Sequence, residues 1–328
     1  MRFKASVFGL AAVLLVAAPV ALSQFRTEQL TEVGVTFIAI LGLDVLVGHA
    51  GQISLGHGAF MAVGGYTTAI LMADHGVRDL WTIPVAAAVA GAVGLVAGVT
   101  AVRLSGFSLA LVTFGLAVAF PALVLRFDHF TGGAAGIELA GKPAQTGHGA
   151  GVVVLGRHLS NGDWGYGLTW TVAVACFLLV RWLLSSRFGR ALRAVRDDER
   201  AAATSGISRA VAKVGALGVS AALAGTAGSL LAIDTAQVGP GTFSAELSLY
   251  LLAGAVVGFF CSVRGAIVGA LLLQFLPDLA RLLPHVGSRE AGPATFVLGL
   301  AVVLVTLLLP PALRAGTAFA RRAEARTE

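Results

Sequence analysis

Apolar runs of roughly bilayer length alternate with short polar gaps along nearly the whole chain. A helix rises about 1.5 Å per residue, so about 20 apolar residues cross the hydrocarbon core. Runs of this kind lie at 5–22, 30–48, 53–73, 82–102, 106–125, 166–184, 212–232, 246–261, 264–283 and 293–311. They predict an all-α polytopic membrane protein with about ten transmembrane helices (8–10). The run at 53–73 is irregular, because Gly51 to Gly65 is rich in Gly, Ser and His. A broken or re-entrant segment fits it as well as a clean span does. Such backbone survives at membrane depth only where protein or a cavity covers it. The run at 246–261 is also poorly defined.

Composition agrees with the pattern. Of 328 residues, 57% are hydrophobic and 12% charged, about half the charge of a soluble domain. The 42 glycines fall inside apolar runs, which suits close helix packing. Pairs with small-xxx-small spacing are Gly94/Gly98, Ala221/Gly225 and Gly265/Gly269. In a chain this rich in Gly and Ala they read as packing, not as specific contacts. Cys176 and Cys261 both fall in predicted spans and imply no disulfide framework.

The net charge of +6 does not point to nucleic acid, because the basic residues are confined to a few gaps. Arg2 and Lys4 precede the first run, a cluster occupies 185–211, and Arg314, Arg321, Arg322 and Arg326 follow the last. The positive-inside rule places all three sites in the cytoplasm. Six runs separate the first two sites and four separate the last two, so a ten-span count closes. The chain then reads as a single membrane domain over 1–328. Residues 185–211 lie inside, and a loop at 126–165 with Arg126, Lys142 and Arg157 lies outside. Residues 1–24 also fit a cleaved signal peptide, which would break the even count.

The segment from Arg187 to Lys213 reads as helical and basic. Phe188, Leu192 and Val195 share one helical face. Arg190, Arg193, Arg196 and Arg200 occupy the adjoining face, interrupted by Asp197, Asp198 and Glu199. A helix lying on anionic lipid and a docking helix for a soluble partner fit this wheel equally.

The run Arg187-Phe188-Gly189-Arg190-Ala191-Leu192-Arg193-Ala194-Val195-Arg196-Asp197-Asp198-Glu199-Arg200, followed by Ser205-Gly206-Ile207, resembles the coupling loop of Liv-type ABC transporter permeases. Gly48-His49-Ala50-Gly51-Gln52-Ile53-Ser54-Leu55-Gly56-His57-Gly58 resembles a second signature of that family. Arg103 to Phe107, Thr131-Gly132-Gly133 and Ser220 to Gly225 follow in family order. The resemblance spans about 30–311. It implies import of branched-chain amino acids (leucine, isoleucine, valine) or related small solutes, urea and short amides included. It also implies a bacterial plasma (inner) membrane location with both termini cytoplasmic.

The partners it implies are ATP-binding cassette subunits, a second homologous permease subunit and an extracytoplasmic solute-binding protein. The chain itself is then no enzyme and binds no cofactor, since ATP and Mg sit on partner subunits. Phe188, Gly189, Arg190, Leu192, Arg193, Val195, Arg196, Glu199 and Gly206 are the implied ATPase-coupling residues, with the Phe188/Leu192/Val195 face docking. Gly136-Ile137-Glu138-Leu139-Ala140-Gly141-Lys142-Pro143 fits G-x-x-x-x-G-K, but Pro143 stands where a P-loop needs Ser or Thr.

Asp44, Gly51, Gln52, Ser54 and His57 are candidates for the translocation pathway. Unpaired polar groups in an apolar bundle are costly, so Gln52, Ser54 and His57 face inward. A pathway lining and a satisfied hydrogen-bond cluster both fit. An Asp at a span centre costs about 2.5–3.5 kcal/mol on insertion scales. Asp44 and His49 stand where the family usually has Asn and Tyr, and their i, i+5 spacing is poor for pairing on one α-helix. No H-E-x-x-H pattern exists, so no metal site is expected. Phe259, Cys261 and Arg264 depart from the family's small residues and put close backbone packing at Gly258–Gly265 in question. An ion-coupled secondary transporter is the competing class. The few intramembrane acids and the lack of a repeat weigh against it.

Overall fold

Among the described residues, the apolar runs fold as helices in the order the pattern predicts. A computed structural model of the chain describes residues 23–77, 79–102, 104, 107–139, 153–154, 157–158, 161–258 and 265–281. The runs at 5–22 and 293–311, and Cys261, lie outside them. The helices are α1 (Gln24–Leu43), α2 (His57–His75), α3 (Asp79–Ala101), α4 (Phe107–Arg126), α5 (Asp128–Thr131), α6 (Asn161–Ser185), α7 (Arg187–Asp197), α8 (Glu199–Thr204), α9 (Arg209–Thr235), α10 (Ala245–Val257) and α11 (Gly265–Arg281). Among the described residues, five helices are long and apolar enough to cross a bilayer: Gln24–His49, Leu80–Thr100, Ser108–Arg126, Asp163–Ser185 and Arg209–Thr235.

Two expectations change. The run at 53–73 becomes a helix only from His57, and the residues before it take no regular form. The run at 246–261 yields the 13 residues of α10, short of a full crossing. The described residues are mostly helical, as an all-α fold requires, with four two-residue strands beside the helices. Strands β1 (Ile137–Glu138), β2 (Val153–Val154), β3 (Arg157–His158) and β4 (Gln237–Val238) form two antiparallel pairs. The β1–β4 pair ties the loop after α4 to the end of α9. Within the described part of the P-loop-like string, Gly136 to Leu139, a left-handed Gly136 leads into the extended pair Ile137–Glu138, not into a helix. Lys142 and Pro143 lie outside the described residues.

α9 is the central post. It packs most extensively on α3 and then on α2. A side chain on Gly98 would meet Val214 at 3.0 Å, and one on Gly218 would meet Leu95 at 2.5 Å. Gly94 lies against Ala221, and Gly225 against Ala90. Two of the small-residue pairs thus face each other across one interface and are specific contacts. Lipid supplies no hydrophobic drive for helix association, so close backbone approach supplies dispersion instead. The third pair does the same elsewhere: Gly269 closes on Gly254, and Gly258 on Gly265. Close packing at that turn is kept, whereas Phe259, Cys261 and Arg264 lie outside the described residues.

Candidate functional site

The basic segment is three helices, cut by three N-caps. Ser186 Oγ accepts from the Phe188 amide at 3.1 Å. Asp198 Oδ1 accepts from the amides of Arg200 at 2.7 Å and Ala201 at 3.0 Å. Those two donors hold the Asp198 carboxyl below the usual carboxylate range. Ser208 Oγ accepts from Val211 at 3.4 Å. Arg209 and Lys213 consequently belong to the first turns of α9. Gly206 ends α8 at φ +80°. Its amide bonds to Ala203 O at 3.1 Å and that of Ile207 to Ala202 O at 3.0 Å, the Schellman pattern. Glu199 opens α8 and pairs with Lys213 Nζ at 2.5 Å.

The apolar face of α7 turns inward. Leu192 is 0% and Val195 2% exposed, inside the chain's own core. Phe188 is half-buried, and a side chain on Gly215 of α9 would meet its ring at 2.9 Å. Gly189 lies so close to Leu184 that a side chain there would meet that residue's Cα at 2.5 Å. The face that the wheel offers to a partner is therefore covered by α6 and α9. Arg187, Arg190, Asp197 and Arg200 remain exposed.

Three arginines of α7 reach helix ends. Arg190 Nη1 donates to Ser185 O at 3.2 Å and Arg193 Nη1 to Leu184 O at 3.1 Å, both at the end of α6. Arg196 Nη1 donates to Gly48 O at 2.8 Å. Carbonyls at a helix C-terminus lack intrahelical partners and carry partial negative charge. The guanidinium groups satisfy both needs.

Gly48 belongs to the other half of the site. After α1 the helix continues from Asp44 to His49 in π register, which pairs residues i and i+5. That register overcomes the poor α-helical spacing of Asp44 and His49. His49 Nδ1 lies 3.1 Å from Asp44 O and 3.9 Å from Asp44 Oδ2. The Asp44 carbonyl can only accept, so the 3.1 Å contact assigns the proton to Nδ1, with the carboxylate nearby but beyond hydrogen-bond distance. The chain turns at Gly51, with φ +68°. Gln52 Nε2 donates to Lys213 O at 3.3 Å, and Ser54 Oγ accepts from Gly56 N at 3.4 Å. Thr113 Oγ1 accepts from Leu55 N at 3.0 Å, and Ser248 Oγ from Gly58 N at 2.9 Å. Amides of this stretch are thus satisfied by α4 and α10, and the Gln52 side chain anchors it to α9.

His57 opens α2, wholly buried, with no hydrogen-bond partner at either ring nitrogen. Its ring lies against Gly42 of α1, where a side chain would meet Nε2 at 2.9 Å, and near the Ser220 carbonyl. Asp44, Gln52, Ser54 and His57 are all buried, and Gly51 is exposed. One cavity, of about 460 Å³, lies elsewhere, among apolar residues of α3, α6, α7 and α9. Another, of about 380 Å³, is bordered by Asp74, His129 and Glu138. Sequence reasoning missed the π turn and the arginine bonds to helix ends.

Gly51→Ala is expected to lower transport several-fold. A left-handed φ costs an L-residue about 1–2 kcal/mol, and a Cβ there would lie 2.9 Å from Arg196 Cγ. Uptake per folded molecule measures the effect. Wild-type uptake by the variant would show that the turn tolerates both.

A family model described as "Branched-chain amino acid transport system / permease component" matches residues 26–309. The chain is 34% identical over 290 residues to the high-affinity branched-chain amino acid transport system permease protein LivM of Escherichia coli (strain K12), covering 82% of this chain and 67% of that protein. It is 32% identical over 289 residues to the LivM protein of Salmonella typhimurium (strain LT2), with the same coverage. No solved structure matches.

Proposed function

The chain belongs to the family of branched-chain amino acid transport system permease components, and from that premise we propose how it works. It is the multi-pass membrane permease subunit of an ABC importer for branched-chain amino acids, with leucine, isoleucine and valine as cargo. The chain does no covalent chemistry. ATP and Mg bind separate cassette subunits, and a second homologous permease completes the pore. A solute-binding protein delivers cargo to the face opposite α7. The arginine-rich α7 end faces the cytoplasm of a bacterial inner membrane, in keeping with the positive-inside rule.

The observation that carries this reading is the mounting of α7. It is packed by Leu192 and Val195 and tied by arginines to α6 and to the π turn. A push on such a helix moves the spans beneath it. The docking surface is then its outward side, with Arg187, Arg190 and Arg200, while Gly189 and Gly206 shape the segment. Asp44, Gln52, Ser54 and His57 border the route that the push opens.

Co-expression with a candidate cassette subunit, followed by reconstitution into liposomes with the binding protein, tests this. The chain should co-purify with the ATPase and accumulate labelled leucine only with ATP. Uptake driven by a proton or sodium gradient without ATP would sink the importer reading. Competition by urea or acetamide, but not by leucine, would reassign the cargo within the same class.

A further inference from the structure

We propose that Arg196 is a positioning residue that transmits movement of α7 to the π turn at Asp44–His49, so that the Asp44–His49 pairing follows the position of α7. The inference rests on the permease reading above and adds a route between its two ends.

Four observations carry it. Arg196 Nη1 donates to Gly48 O at 2.8 Å, across 148 positions of sequence. The contact has no slack: a side chain on Gly51 would meet Arg196 Cγ at 2.9 Å and its Cα at 3.6 Å. The backbone after the π turn therefore rests on α7 itself. Asp197 holds the guanidinium from its other side, with Oδ1 at 2.9 Å from Nη2 and 3.0 Å from Nε. Finally, Gln52 is anchored on α9 through Lys213 O at 3.3 Å.

Gly48 is thus tied to α7 and Gln52 to α9. Any displacement of α7 relative to α9 must be absorbed between those two anchors and in the turn just before them. A π turn holds one surplus residue compared with an α-helix, and it is a recognised place for a helix to change register. Passing the surplus residue along α1 would restore α register. Residues i and i+5 would then leave a common face, and His49 would part from the Asp44 carbonyl. A buried acid and its imidazole partner would separate or rejoin as α7 moves.

The test uses the complex with its ATPase subunit in nanodiscs, and amide hydrogen exchange over 46–54 with and without a non-hydrolysable ATP analogue. In the wild type the analogue should change exchange there roughly ten-fold, the factor matched to one charge-assisted hydrogen bond. Arg196→Ala should lose that response and its uptake per ATP should fall by a similar factor, while the co-purified ATPase stays at the wild-type ratio. Arg196→Lys, which keeps a cationic donor, should retain the response. An Arg196→Ala complex that responds like the wild type would overturn the inference. So would a wild type with no response, or equal loss in both variants, which would indicate general loosening of α7. Loss of the ATPase from Arg196→Ala would place Arg196 in the docking surface instead. Wild-type uptake with no ATPase subunit at all would remove the ABC-importer reading, independently of Arg196.

Discussion

Gly228→Leu should abolish accumulation of folded protein. Gly228 of α9 lies on the backbone of Met61 in α2, where an added Cβ would come within 2.6 Å of the carbonyl carbon and 2.9 Å of Cα. Backbone cannot swing aside as a side-chain end can. The same two helices close again one turn away, where Gly64 meets the backbone of Gly225. Overpacking typically costs 1–3 kcal/mol and occasionally more. Forcing two central helices apart should exceed about 3 kcal/mol. Monodisperse yield from size-exclusion chromatography and the melting temperature measure it. Gly167→Leu is the control, since nothing lies within 4 Å of that position on α6. Equal yields for the two variants would show that α2 and α9 do not depend on their glycines.

Leu192→Asp should destabilise the α7 end of the bundle rather than silence a folded permease. The family resemblance, with Leu192 facing a partner, implies an intact but uncoupled protein. Burial predicts otherwise, because Leu192 is 0% exposed. Losing a buried leucine costs about 2–5 kcal/mol, and an unpaired carboxylate in its place adds a desolvation penalty. We expect a lower melting temperature and rapid tryptic cleavage at Arg190 and Arg193. Arg187→Glu, on the exposed side, should leave the melting temperature alone and weaken ATPase binding. A protease-resistant Leu192→Asp protein would return the apolar face of α7 to the outside.

The spans were the most legible part of the chain. Apolar runs at 82–102 and 106–125 became Asp79–Ala101 and Phe107–Arg126, because a long run in lipid has few alternatives to a helix. The caps at Ser186, Asp198 and Ser208 went unread, and the segment passed for one helix, although their residue types are those of N-caps. The wheel of α7 showed an apolar face but not its cover, since amphipathicity is local and the covering helix begins at Arg209. The π turn left no trace in hydropathy, because one extra residue in an apolar run changes nothing that the pattern measures. Arg196 read as surface charge for a similar reason: its acceptor, a backbone carbonyl at Gly48, looks the same in every residue. Gln52, Ser54 and His57 announced themselves as polar within an apolar stretch, yet only coordinates separate the two that are hydrogen-bonded from the one that is not.

The seat of α7 also imposes an order on biogenesis. Phe188 rests on Gly215, and Glu199 reaches Lys213, both on a helix made later than α7 itself. During synthesis α7 leaves the ribosome with Phe188, Leu192 and Val195 uncovered and no α9 to receive them. The nearest apolar medium at that moment is the bilayer surface, and the arginines beside that face suit anionic headgroups. The helix is then expected to lie on lipid first and to pack only once α9 has been made.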